Sequence, residues 1–169
     1  MQNELIGRKA IKDKYIRLLN SNSKDINQAW IDFKNTVIFD YESEAPVAEL
    51  SLLPKIIERK FLKVPKRNIS ILSHGCGSGM PDLYWIALGY SNLISVDIFS
   101  VEREKKFQKL NKILKIVKET KKNIFLIYDG STLPVKTGQI DVVSSNAVVE
   151  HLSDEFYDNY FCDEARVLK

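Results

Sequence analysis

Along the chain, apolar positions change their period at about residue 68. Before it, they recur only at helical spacing. Ile6, Ala10, Ile11, Tyr15, Leu18 and Leu19 predict a helix over residues 3–20, which Asn20-Ser21-Asn22-Ser23 then punctuates. Ile26, Trp30, Phe33, Val37 and Ile38 predict a second helix over about 24–39, and the segment from Tyr41 to Pro46 reads as a break. A third helix is expected over about 47–61, with Val64-Pro65 behind it to end it. No strand pattern and no internal repeat occurs in this part, so it reads as a helical extension or cap spanning 1–67.

After that point, short β-branched or aliphatic runs alternate with helical stretches. Strands are expected at Ile69–Ser73, Leu93–Asp97, Ile124–Tyr128 and Ile140–Ser144. Between them come a helix over Met80–Gly89 and a long one from Val101 to about Thr120, with Ser100 as its N-cap. A last helix follows Ser153 through Leu168, with Ser153 placed to cap it and Asp154 and Glu155 in the first turn, where the helix dipole favours acids. Strand alternating with helix implies parallel β-α-β units with right-handed crossovers, so 68–169 is expected to be an α/β core.

Composition narrows the function classes. A chain of 169 residues with 44% hydrophobic and 28% charged residues can bury a core as one domain with an appendage. No apolar run approaches the ~20 residues that cross a bilayer, and MQNELIGRKAIKDK lacks the apolar stretch of a signal peptide, so the expected location is cytoplasmic. Cys76 and Cys162 offer neither a disulfide framework nor metal-ligand spacing, and both are expected to be reduced; no metal site is expected. The net charge of +3 is too small to argue for nucleic acid. Lysines crowd Arg103–Lys122, but Lys105, Lys109, Lys112 and Lys115 fall opposite the stripe of Phe107, Leu110, Leu114 and Val117, which makes them a solvated helix face.

Candidate chemistry lies in the segment NISILSHGCGSG, Asn68–Gly79. Its strand runs into Gly75-Cys76-Gly77-Ser78-Gly79, where side chains are missing as the backbone turns tightly into a helix. Bare amides and a helix N-terminus at the carboxyl end of a parallel strand leave room for an anionic or polar ligand. Asp97 closes the second strand, 18 residues after Gly79, where a carboxylate can accept both hydroxyls of a ribose. Asp129, closing the third, can accept from an exocyclic amine.

At these residues the sequence resembles the class I S-adenosylmethionine-dependent methyltransferases, in their small-molecule branch. HGCGSG is similar to the family's first motif, ISVD to its second and YDGSTLPVKTGQIDVV to the third strand with the loop into the fourth. SSNAVVEHLSD with EARVLK is similar to the segment after that. The resemblance covers about Asn68–Lys169 and implies a Rossmann-like parallel sheet, strand order 3-2-1-4 in the part present, with helices on both faces. It also implies S-adenosylmethionine as cofactor. By position, Gly75, Gly77 and Gly79 would pass beside the donor's methionine portion, Asp97 with Ile98 would hold the ribose, and Asp129 with Gly130 would meet the adenine. Asn146 would lie beside the donor's amino-acid end, and Ser73 and Cys76 belong to the same loop. The family's first motif places an acid where Ser73 stands, and serine accepts a hydrogen bond but brings no charge. The family's sheet is seven-stranded, with a Gly-Gly turn and three further strands after RVLK; here RVLK are the last four residues, so the sequence is expected to be either a fragment or a protein lacking half of its sheet, with the C-terminal strands missing.

Methyl transfer to a small-molecule acceptor is the expected activity, with His151 beside Glu150 as the candidate base because an imidazole titrates near neutrality. Two alternatives remain. A dinucleotide-dependent oxidoreductase would need Gly or Ala at position 80 for G-x-G-x-x-G/A, where this chain has Met80. A catalytically silent module would retain the fold and lose the chemistry. Trp30, Phe33, Phe39 and Tyr41 are candidates for lining an acceptor pocket, although aromatic residues at helical spacing more often form core.

Overall fold

A computed structural model of the chain describes residues 2–119 and 123–169. Three helices come first: α1 (Gln2–Asn20), α2 (Ile26–Glu42) and α3 (Ala48–Lys60). The alternating part follows as β1 (Ile71–His74), α4 (Met80–Ala87), β2 (Leu93–Ile98), α5 (Val101–Ile116), β3 (Ile124–Tyr128), β4 (Val142–Ser145) and α6 (Asp154–Val167). The four strands are all parallel and stand in the order β3-β2-β1-β4, so the expected doubly covered α/β sheet is the observed one.

Each strand divides its side chains between two cores, because successive residues point to opposite faces. Ile71, Leu93 and Phe125 join the larger core, which α1 to α5 fill with Ile11, Phe33, Leu50, Leu83 and Leu110 among others. Leu72 and Val96 join the smaller one, closed by Leu133, Val135, Ile140 and Val167. The helices before residue 68 and the sheet thus share one continuous apolar interior.

Two features fix that arrangement. Pro54, inside α3, has no N–H to donate to the carbonyl of Leu50, and Trp85 Nε1 on α4 donates there instead at 2.9 Å. Asp40, almost fully buried at the end of α2, accepts the Tyr84 hydroxyl at 2.8 Å and the Val47 backbone N–H at 3.3 Å, which ties α2, α3 and α4 together.

Several boundaries differ from expectation. Lys66–Asn68 form a single 3-10 turn, and the first strand starts at Ile71 rather than Ile69. The break expected at Tyr41 comes later, because α2 continues to Glu42. Ser100 caps α5 by accepting the Arg103 N–H, but the helix ends at Ile116, with Lys118 at φ +62; the expected end at Thr120 lies outside the described residues, as do Lys121 and Lys122. Lys105, Lys109, Lys112 and Lys115 are exposed, while Phe107, Leu110 and Leu114 are buried. Ser153 does not cap α6: its hydroxyl turns to Glu155 Oε1 at 3.3 Å. The fourth strand starts at Val142, where its pairing with Ile71 begins, and Ile140 ahead of it bridges Leu168, with Lys169 N donating to Ile140 O at 3.0 Å.

Candidate functional site

At the carboxyl ends of the four strands lies a cavity of about 1190 Å³. A single ligand pocket usually measures ~300–1,000 Å³, so this one has room for two small ligands. The Gly75–Ser78 loop forms its floor. Asp97, Ile98, Asp129 and Gly130 border it on one side, and Ser145, Asn146, Val148 and His151 on the other. Glu49, Leu52, Leu53 and Ile56 of α3 face it from above, with Phe156 and Tyr160 of α6. Ser73 and Cys76 border it as well, so all but one of the residues assigned in the sequence to the donor or to catalysis meet around one space.

The exception is Gly79. It lies outside the cavity lining, at the N-terminal end of α4 with φ +73, and a Cβ there would stand 2.7 Å from Phe125 Cε1 and 2.8 Å from Leu110 Cδ1. Its lack of a side chain serves packing of the helix on the sheet. Gly77 is the opposite case: φ is +55, and a Cβ would meet nothing within 4 Å, so the loop presents bare backbone to open space.

Asp97 is buried at the end of β2 and aimed at that loop. Its Oδ2 accepts the Gly77 N–H at 2.6 Å, while Oδ1 accepts the Ile98 N–H at 2.8 Å and lies 3.2 Å from Arg103 Nη1. Asp129 is exposed. Its Oδ1 accepts both the hydroxyl and the N–H of Ser131, and those hydrogen bonds hold its carboxyl below the ordinary range. Asn146 and His151 are exposed at the rim, His151 on a 3-10 turn. None of Trp30, Phe33, Phe39 and Tyr41 lines the cavity. Trp30 and Phe33 are core, Phe39 is exposed, and the Tyr41 hydroxyl donates to Glu58. The apolar wall comes from α3 instead.

Two groups of polar residues here have partners that the sequence does not show. His74 is 3% exposed, on the β1 face opposite Ser73; its Nδ1 lies 2.9 Å from Glu164 Oε1, its Nε2 2.6 Å from the Tyr128 hydroxyl, and its ring stacks on Tyr160 at 4.2 Å. A single tautomer satisfies both contacts, with Nδ1–H donating to the carboxylate and Nε2 accepting from the phenol. Burial pushes the Tyr128 phenol up to about 12. The Tyr160 hydroxyl shares a 2.5 Å hydrogen bond with Ser145 Oγ, so α6 is pinned to the ends of β1, β3 and β4.

The second group is Asp82, in the first turn of α4 and 1% exposed. Ser95 Oγ donates to its Oδ1 at 2.6 Å, and Oδ2 has no hydrogen-bond partner. Burial raises the carboxyl to about 6. Its sequence signal is a lone acid inside the apolar helix MPDLYWIA, which also reads as a dipole-favoured first-turn acid. Among the described residues no cluster of His, Cys, Asp or Glu could hold a metal ion, and no helix is long and apolar enough to cross a membrane.

A family model described as a methyltransferase domain matches residues 72–169, more than half of the chain. The chain belongs to the class I S-adenosylmethionine-dependent methyltransferases. Solved structures share the fold of this chain at low identity. The [4+2]-cyclase SpnF has a TM-score of 0.54 at 18% identity, covering 88% of this chain and 57% of its own. Geranyl diphosphate C-methyltransferase from Streptomyces coelicolor A3(2), in complex with Mg2+, geranyl diphosphate and S-adenosyl-L-homocysteine, has a TM-score of 0.52 at 14% identity, covering 82% and 47%. A putative S-adenosyl-L-methionine-dependent methyltransferase from Methanococcus maripaludis has a TM-score of 0.50 at 18% identity, covering 80% and 59%. The chain therefore spans about half the length of these structures. No curated protein matches it. The family's cofactor is S-adenosylmethionine, and the residues present fit such a group: bare backbone at Gly77, a buried carboxylate beside it at Asp97, and open space between.

Proposed function

We propose that this methyltransferase binds S-adenosylmethionine across the Gly75–Ser78 loop and transfers its methyl group to a small, partly apolar acceptor. The observation that carries the reading is the opposition of Asp97 to the open backbone of Gly77 inside one cavity. Asp97, with Ile98 beside it, holds the ribose hydroxyls, Asp129 and Gly130 border the adenine, and Asn146 stands at the amino-acid end. Ser73 and Cys76 complete the wall under the loop, and Gly79 sets the helix that follows it. When bound, the donor supplies a methyl carbon made electrophilic by its sulfonium. Transfer then asks the chain chiefly for orientation and exclusion of water. In this reading His151, which borders the cavity, takes the acceptor's proton through an imidazole nitrogen.

The acceptor's place is the side of the cavity toward α3 and α6. Leu52 is 60% exposed, Ile56 44% and Phe156 52%, and all three border the cavity, so an apolar acceptor would cover surface that otherwise faces water. Residues 1–67 act as the cap that supplies this wall, and 68–169 as the donor-binding core. Calorimetric titration with S-adenosylmethionine, S-adenosylhomocysteine and NAD tests the reading. Binding of the first two in preference to NAD is expected, and tighter binding of NAD overturns it.

A further inference from the structure

Ser73 and Ser95 are register partners on adjacent strands, and both point to the face on which α4 lies. Asp82 descends from the first turn of α4 onto this pair. Ser95 satisfies one carboxyl oxygen at 2.6 Å, and the Ser73 hydroxyl stands against the same carboxyl. Oδ2 remains without a partner in a residue that is 1% exposed and borders the cavity next to Cys76 and Gly77. A buried carboxylate oxygen left unpaired is costly, and none of the ion pairs among the described residues reaches Asp82. Asp97, nearby, has two N–H groups and Arg103. Asp82 lacks a cation and has an oxygen free to take one.

We propose that Asp82 receives the ammonium group of the donor's amino-acid end through Oδ2, supplying from α4 the charge that Ser73 does not bring. The assignment rests on the donor reading above. It makes the carboxylate a ligand-binding group rather than a packing defect. The groups facing it are Tyr15 from α1, Cys76 from the loop and Asp97 from β2. Burial raises the Tyr15 phenol and the Cys76 thiol far above their ordinary values, so both stay neutral where Asp82 ionises.

The test compares S-adenosylhomocysteine with 5'-methylthioadenosine, which has the same nucleoside and thioether but no amino-acid end, by calorimetry at pH 7.5. Asp82→Asn is expected to weaken S-adenosylhomocysteine roughly tenfold or more, the usual worth of a hydrogen bond to a charged group, and to leave methylthioadenosine within about twofold. Adding Ser73→Asp to Asp82→Asn is expected to return part of the lost affinity, because the charge re-enters from β1 at the same place. In the unmodified protein, S-adenosylhomocysteine should bind more tightly as pH rises through about 6, and methylthioadenosine should not. Equal weakening of both ligands, or of neither, would overturn the assignment while leaving the donor reading intact. Failure of the unmodified protein to bind either ligand would sink the donor reading and the assignment with it.

Discussion

Asp97 Oδ2 accepts the backbone N–H of Gly77 at 2.6 Å, across the gap between the end of β2 and the turn after β1. The contact fixes the loop's height above the sheet and leaves the carboxylate at the cavity wall. Asp97→Ala removes it together with the Arg103 pair at 3.2 Å. Donor affinity is expected to fall roughly tenfold or more, since hydrogen bonds to a charged group contribute about 1.5–3 kcal/mol. Calorimetry with S-adenosylhomocysteine checks this, and an unchanged dissociation constant would reduce Asp97 to a loop anchor.

Gly77 and Gly79 separate binding from folding. Alanine at either, with φ at +55 and +73, costs about 1–2 kcal/mol for the left-handed backbone. At Gly79 the new Cβ also enters Phe125 and Leu110, adding on the order of 1–3 kcal/mol of overpacking. Gly79→Ala is therefore expected to lower the melting temperature more than Gly77→Ala, and Gly77→Ala to lose more donor affinity per degree of melting temperature lost. Melting curves paired with donor titrations check both.

Glu164 and His74 clamp α6 to the sheet at 2.9 Å. Removing the carboxylate by Glu164→Ala leaves a buried imidazole N–H without its acceptor, a penalty of about 1–3 kcal/mol. Chemical denaturation should show that loss. The Tyr128→Phe variant should show a comparable one, because its hydroxyl satisfies the other ring nitrogen. No loss in either variant would mean that Tyr160 stacking alone positions α6.

Asp82 gives the free protein an acid-stabilised component. Its carboxyl rises from 3.8 to about 6 on folding because burial penalises the charge. Between these values the native state binds more protons than the unfolded one, so this contribution is fully present below about pH 4 and is lost as pH rises through 6. The loss is on the order of 2–3 kcal/mol, at 1.36 kcal/mol per unit. Asp82→Asn should remove that slope, so its stability relative to the unmodified protein improves between pH 4 and 7. Denaturation of both proteins across this range checks the sign, and parallel curves would contradict it.

The strand-helix alternation was legible because parallel strands such as Ile124–Tyr128 are bounded apolar runs, and the glycine loop was legible because glycine takes positive φ without the strain of a Cβ, here at three alternate positions. Asp97 and Asp129 followed from strand ends. Tertiary partners were not legible. Nothing local tells that Leu168 reaches Ile140, that Trp85 repairs the carbonyl freed by Pro54, or that the His74, Tyr128 and Glu164 side chains meet across 90 residues of chain. Gly79 reads as a ligand glycine by spacing and serves packing by position. The aromatic residues of α2 were eligible for the acceptor wall by type alone; the helix's rotation sends Trp30 and Phe33 into the core and leaves that wall to Leu52 and Ile56.

The central claim is that the donor lies over the Gly75–Ser78 loop between Asp97 and Asn146. Amide chemical shifts of the isotopically labelled protein, recorded by NMR as S-adenosylhomocysteine is added, report on that position residue by residue. The account predicts saturable shifts at Gly75, Cys76, Gly77, Ile98 and Gly130, with residues on the far side of the sheet unmoved. Shifts confined to other surfaces, or none at millimolar ligand, would contradict it.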